Sequence, residues 1–95
     1  MKGNSLSEFI NDLLTMGGPE KEFKFRGKKY FLETIFNQER ESDELYIIEC
    51  TSESPYVFRC YGNSFADCVK QFEQARIFDG MTIYEAESEI EVLYG

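Results

Sequence analysis

Glu22-Phe23-Lys24-Phe25-Arg26-Gly27-Lys28-Lys29-Tyr30-Phe31-Leu32-Glu33-Thr34-Ile35-Phe36 is the stretch that decides the fold. Charged and apolar residues alternate from Glu22 to Arg26, which is the period of a strand with one buried face. Gly27-Lys28 interrupts the pattern, and an aromatic and β-branched run follows it. Alternation on both sides of a glycine-containing turn predicts a β-hairpin with Arg26, Lys28 and Lys29 at its tip. Phe23, Phe25 and Tyr30 are then expected to face a core while the lysines face water. Stacking of these aromatics on nucleic-acid bases is the competing use of such a pattern.

Upstream, Ser5-Leu6-Ser7-Glu8 has the spacing of a capping box. Leu6, Phe9, Ile10, Leu13 and Leu14 follow as one helical stripe. Gly17-Gly18-Pro19 supplies a residue free to turn left-handed and then one that cannot continue a helix. Downstream, the polar segment from Asn37 to Asp43 reads as a loop. Glu44 to Cys50 contains Leu45-Tyr46-Ile47-Ile48 and predicts a third strand. Ser52 to Pro55 is a turn cluster, and Tyr56-Val57-Phe58-Arg59-Cys60-Tyr61 predicts a fourth strand antiparallel to the third. A hairpin symmetric about Pro55 would set Cys50 opposite Cys60, a conceivable redox pair. Gly62-Asn63 ends that strand and Ser64-Phe65-Ala66-Asp67 opens a second helix, with Phe65, Cys68, Val69, Phe72 and Ala75 on one face.

The tail from Thr82 to Tyr94 fits two periods. Thr82-Ile83-Tyr84-Glu85 resembles a capping box, and Ile83, Ala86, Ile90 and Leu93 make a helical stripe. Glu85, Glu87, Glu89 and Glu91 also alternate with Ala86, Ser88, Ile90 and Val92, as in a half-buried strand. Ala and Glu favour helix over strand, so helix is the preferred reading. The resulting expectation is a single α+β domain over residues 1–95. It has an N-terminal helix, an antiparallel sheet of three to four strands and two C-terminal helices, the last of them alternatively a strand.

The chain has 95 residues, of which 42% are hydrophobic and 16% aromatic, enough apolar surface for a core. It lacks an apolar run long enough to span a bilayer, and Met1 to Phe9 lacks the apolar segment of a signal peptide. Three cysteines, an odd number with no C-x-x-C, fit reduced, buried thiols and a cytoplasmic setting.

Histidine is absent, which removes the commonest general base and zinc ligand together. Cys68 falls in a helix stripe and reads as core, and no nucleophile elbow, phosphate loop or dinucleotide fingerprint is present. The Gly62-Asn63-Ser64 turn could offer amides to an anion but more simply caps the helix. No calcium-loop pattern organises the carboxylates. Catalytic, metal and cofactor sites are therefore not expected, and binding is what remains.

Charge directs that reading. Acids outnumber bases 18 to 10, a net charge of −8. From Tyr30 onward only Arg40, Arg59, Lys70 and Arg76 offset the acids, and none follows Asp79. Such a chain repels nucleic acid and anionic membrane and suits a protein with a basic surface. The candidate partner-binding residues are Glu39, Glu41, Asp43 and Glu44 in the central loop, with Glu85, Glu87, Glu89 and Glu91 in the tail. The preferred function is a non-enzymatic protein-interaction module, monomeric or weakly homodimeric. The alternative is an acidic mimic of nucleic acid that inhibits a DNA- or RNA-handling protein.

Gly62-Asn63-Ser64-Phe65, Asp67-Cys68-Val69, Phe72, Ile77-Phe78-Asp79-Gly80 and Thr82 onward to Glu89-Ile90-Glu91 resemble small uncharacterised acidic proteins of Gram-positive bacteria and their mobile elements. The resemblance covers the last third of the chain and implies a bacterial cytoplasmic setting. The inferred order of helix, small sheet and terminal helices, with strong acidity, also looks like some phage anti-CRISPR inhibitors that mimic DNA. That likeness is one of fold and assigns a role to no residue.

Overall fold

Arg26 and Gly27 form the turn of the expected hairpin, with φ of 49° and 79°. Two central residues at positive φ make the tight turn whose twist matches its strands, and glycine adopts the second position without strain. The turn joins β1 (Glu20–Phe25) to β2 (Lys28–Asn37), antiparallel with Phe23 opposite Tyr30. The computed structural model describes residues 1–15, 20–50 and 56–94. The Gly17-Gly18-Pro19 helix stop and the Ser52–Pro55 turn lie outside the described residues.

β3 (Ser42–Glu49) pairs with β2, and β4 (Tyr56–Gly62) pairs with β3. α1 (Leu6–Thr15) begins where Ser5 Oγ accepts the Glu8 amide at 3.2 Å. α2 (Phe65–Gln74) is capped in the same way by Ser64, which accepts the Asp67 amide. Both helices lay their stripes on one face of the sheet, except that Leu14 of the first is exposed. Phe9, Leu13, Cys68, Val69 and Phe72 are fully buried there against Phe23, Phe25, Leu32, Leu45 and Ile47. Phe23 is the hub: its ring lies 6.1 Å from Phe9, 5.4 Å from Tyr30 and 6.0 Å from Phe78. The hairpin aromatics Phe23, Phe25 and Tyr30 are thus core residues and not a base-stacking platform.

The tail uses both of its periods in succession. Thr82 and Glu85 complete a reciprocal capping box over α3 (Ile83–Ala86), a single turn that buries Ile83 and Ala86. A 3-10 turn over Glu87–Glu89 follows, and Ile90–Tyr94 becomes β5. The preferred helical reading is therefore corrected beyond Glu89, and the sheet has five strands in the order β4-β3-β2-β1-β5. The reason is tertiary. β1 would otherwise expose a row of unpaired amides and carbonyls at the sheet edge. β5 pairs with that row, with Phe25 opposite Ile90 and Phe23 opposite Val92. Lys2 then extends the edge, its amide donating to the Ile90 carbonyl at 2.9 Å while its carbonyl accepts from Val92.

The thiols are also placed by register. Leu45 stands opposite Cys60, and the pairing shifts between Ile47 and Ile48, so Cys50 and Cys60 are not cross-strand partners. Cys60 lies instead beside Cys68 in the core, its thiol directed at the Cys68 carbonyl at 3.6 Å. Burial pushes the Cys60 pKa up to about 12 and raises that of Cys68. Cys50 is exposed. Brief alkylation of the folded protein is expected to modify Cys50 alone, with Cys60 and Cys68 reacting only in denaturant. Mass spectrometry of the digest checks this, and equal labelling of two or three thiols in the native state rejects it.

Candidate interaction face

The helices cover one face of the sheet, and among the described residues no helix packs on the other. Strand alternation decides which side chains stand on that open face. Row by row across the strands, the register sets Glu22, Phe31, Ile48 and Tyr56 side by side. Glu20, Glu33, Tyr46 and Arg59 form the next row, and Ile35, Glu44 and Tyr61 the one after. The centre of the face is therefore aromatic and aliphatic, with charges around and beneath it.

Three tyrosines and two arginines are stacked together here. Arg40 lies 4.1 Å from the Tyr61 ring centroid, and Arg59 lies 4.8 Å from Tyr56 and 5.8 Å from Tyr61. Tyr46 and Tyr56 meet edge to face at 5.8 Å. The stack is fixed from below by Glu44, which is 1% exposed. Its carboxylate accepts from Arg59 Nε at 2.7 Å and from Asn37 Nδ2 at 3.0 Å. Both oxygens of a buried acid are thus satisfied, as burial requires. Arg59 is held so firmly by this hydrogen bond that its own pKa rises. Burial, and then the neighbouring Glu33, push the Tyr46 phenol up to about 12. Part of the stack is exposed: Tyr56 is 52% exposed and the Arg59 side chain 45%, while Tyr46 and Tyr61 are half-buried.

The sequence-derived acidic residues do not share a surface. Glu44 is an internal carboxylate and leaves the set. Asp43 is half-buried in β3, and its carbonyl accepts the Cys68 thiol at 3.5 Å. Glu39 and Glu41 are exposed in the β2–β3 turn. Glu89 lies at the opposite end of the ten-residue β2, about 30 Å away at the rise of a strand. The tail acids are each met by a cation. Arg26 takes Glu89 at 2.7 Å through two nitrogens and Asp79 at 3.1 Å. Arg76 takes Glu85 at 2.9 Å. The α-amino group of Met1 lies 3.7 Å from Glu87, and Lys2 lies 3.7 Å from Glu91.

These pairings also change the carboxyls themselves. The Arg26 hydrogen bonds lower the Glu89 pKa, and the Thr82 amide, followed by Arg76, lowers that of Glu85. Ion pairs also engage two of the three cations at the hairpin tip, since Arg26 faces Glu89 and Asp79 while Lys29 pairs with Glu22. The Gly62-Asn63-Ser64 turn is a cap: the Asp67 carboxylate accepts the Asn63 amide at 3.1 Å, where an anion would have sat. Among the described residues no three carboxylates or thiols converge as a metal ion would need, and no helix is long and apolar enough to cross a membrane.

Sequence reasoning passed over Tyr46, Tyr56, Tyr61, Arg40 and Arg59. The signal that marks them is Leu45-Tyr46-Ile47-Ile48, apolar without alternation. A strand that is apolar on both faces departs from the alternation of one with a solvated side, so its second face stands out. Compared with protein-family models, with curated proteins and with solved structures, the chain finds no match in any of the three.

Proposed function

We propose that this chain is a non-enzymatic protein-interaction module that binds through the open face of its sheet. The observation that carries the reading is the stack of Tyr46, Tyr56 and Tyr61 with Arg40 and Arg59, held by buried Glu44 and covered by no helix among the described residues. Tyrosine and arginine are the residues that concentrate binding energy at protein interfaces, because each offers a large, rigid contact area with a polar handle. Stacking orders these side chains before a partner arrives, which lowers the entropy lost on binding. The bacterial cytoplasmic setting implied by the sequence resemblance belongs to the same proposal.

The phosphate-mimic reading has less support, because a mimic needs carboxylates free to meet a basic groove. Here Glu85, Glu87, Glu89 and Glu91 already face cations, and of the eight candidate acids Glu39 and Glu41 are the exposed ones left at the far end. The two readings separate by salt and by mutation. Immobilised protein is passed through bacterial lysate at low and high ionic strength, in three forms. These are the unaltered chain, Tyr56→Ser/Ile48→Ser, and Glu39→Gln/Glu41→Gln. A partner that survives high salt, is lost with the open-face variant and is kept by the acid variant is expected. Retention that disappears in salt and with the two glutamines, while the open-face variant binds normally, overturns the reading in favour of mimicry.

A further inference from the structure

We infer that the partner the open face takes is a second copy of this chain, in a face-to-face dimer; the inference rests on the binding role proposed above. The register carries the argument. Two residues from the Glu22–Phe31–Ile48–Tyr56 row on one side lies the acidic row, with Glu20 opposite Glu33. Two residues away on the other side lie Lys24 and Lys29, opposite each other on β1 and β2, with Glu91 of β5 next to Lys24 and paired with Lys2. Acid and base therefore flank the apolar row symmetrically, on the same two strands.

A two-fold axis lying between two such faces, along the Phe31–Ile48 row, exchanges the flanking rows. Lys24 of one copy then stands over Glu20 of the other. The contact occurs twice, as an isologous interface demands. Phe31 and Ile48 meet their own counterparts on the axis. Glu22, which would meet its counterpart there, carries Lys29 as its ion partner, so the axis row is not left with two bare carboxylates. Facing sheets pack about 10 Å apart, a gap that a lysine and a glutamate reaching from opposite sides can close. Without this local pattern, two chains of net charge −8 would repel. The paired rows supply opposite charges where the copies come closest.

Sedimentation velocity from about 1 μM to about 500 μM at fixed ionic strength reads the association directly. The unaltered chain is expected to move from monomer to dimer within that range. Lys24→Glu sets like charges over Glu20 at both symmetric contacts and should weaken dimerisation by about tenfold or more. Adding Glu20→Lys in the same chain reverses both signs together and should restore the affinity to within about threefold. Both residues are exposed, and thermal melts followed by circular dichroism confirm that each variant folds. A chain that stays monomeric throughout overturns the inference. So does a dimer indifferent to Lys24→Glu, or one whose weakening Glu20→Lys does not repair. If the monomer nevertheless captures another protein through Tyr56 and Ile48, the dimer fails while the interaction reading stands. If neither association depends on this face, both fail.

Discussion

Phe23→Ala is expected to remove about 3–5 kcal/mol of folding stability, the range for deleting a fully buried aromatic and leaving its cavity. The ring is 1% exposed and packs where three other parts of the chain come together. It touches Phe9 from α1, Tyr30 across the hairpin and Phe78 from the turn that leads into the tail. On its own strand it also stands opposite Val92 of β5. Collapse around the cavity is hindered because each neighbour is held by a different element. A domain of this size has about 5–15 kcal/mol in total, so the loss is a large part of it. Urea unfolding at equilibrium measures the effect, with Phe36→Ala as the control. Phe36 is also an aromatic strand residue, but it is 58% exposed, so its removal should fall within about 0.5 kcal/mol. Equal losses in the two variants would reject the central position of Phe23.

Gly62→Ala is expected to destabilise by about 1–3 kcal/mol, the opposite of what replacing a strand glycine usually does. A Cβ at this position would stand 2.6 Å from Asp67 Cβ, 3.2 Å from the Ser64 carbonyl and 3.3 Å from the Cys68 amide. None of these is the loose end of a flexible side chain. Asp67 is tied at both ends, its amide to Ser64 Oγ and its carboxylate to the Asn63 amide. Relief therefore requires the first turn of α2 to move away from β4. That turn precedes Cys68, Val69 and Phe72, all fully buried, so the displacement is carried into the core. The same unfolding measurement checks it, together with proteolysis or hydrogen exchange, which should show α2 loosened first. A neutral or stabilising substitution would show that the helix can yield without cost.

Much of the fold was legible because its signals are local. The hairpin needed only the alternation from Glu22 and the glycine at position 27. The two long helices announced themselves by Ser5 and Ser64 at their starts and by stripes of apolar residues three and four apart. The α+β architecture followed from the order of these elements. Thr82 and Glu85 correctly marked a helix start, yet that helix lasts one turn. Its successor is a strand because β1 offers an unpaired edge; the alternation of Glu89, Ile90, Glu91 and Val92 allowed that strand, but nothing in the segment records the edge it pairs with.

The site was far less legible, for a physical reason. Glu44 reads in sequence as one more acid in an acidic loop. In the structure it lies beneath Arg59, which is fifteen residues away, and beside Asn37 across the turn. Tyr46, Tyr56 and Tyr61 read as ordinary strand aromatics, and what sets them apart is that among the described residues no helix lies over their side of the sheet. Charge marks eight acids as candidates for partner binding, and charge alone does not tell a free carboxylate from one already met by a cation.

By itself, then, the sequence determined the elements, the caps, the inward-facing aromatics Phe23, Phe25 and Tyr30, and the sign of the overall charge. These depend on periods of two and three to four residues and on net composition, which the chain carries at every point. Tertiary structure alone decided that the tail closes the sheet edge, that Cys60 meets Cys68 and not Cys50, and that four tail glutamates are spent on Met1, Lys2, Arg26 and Arg76. It also decided that the sheet face left without a helix among the described residues carries tyrosine and arginine. Each of these turns on which distant residues arrive at the same place, and that is settled by packing the whole core at once.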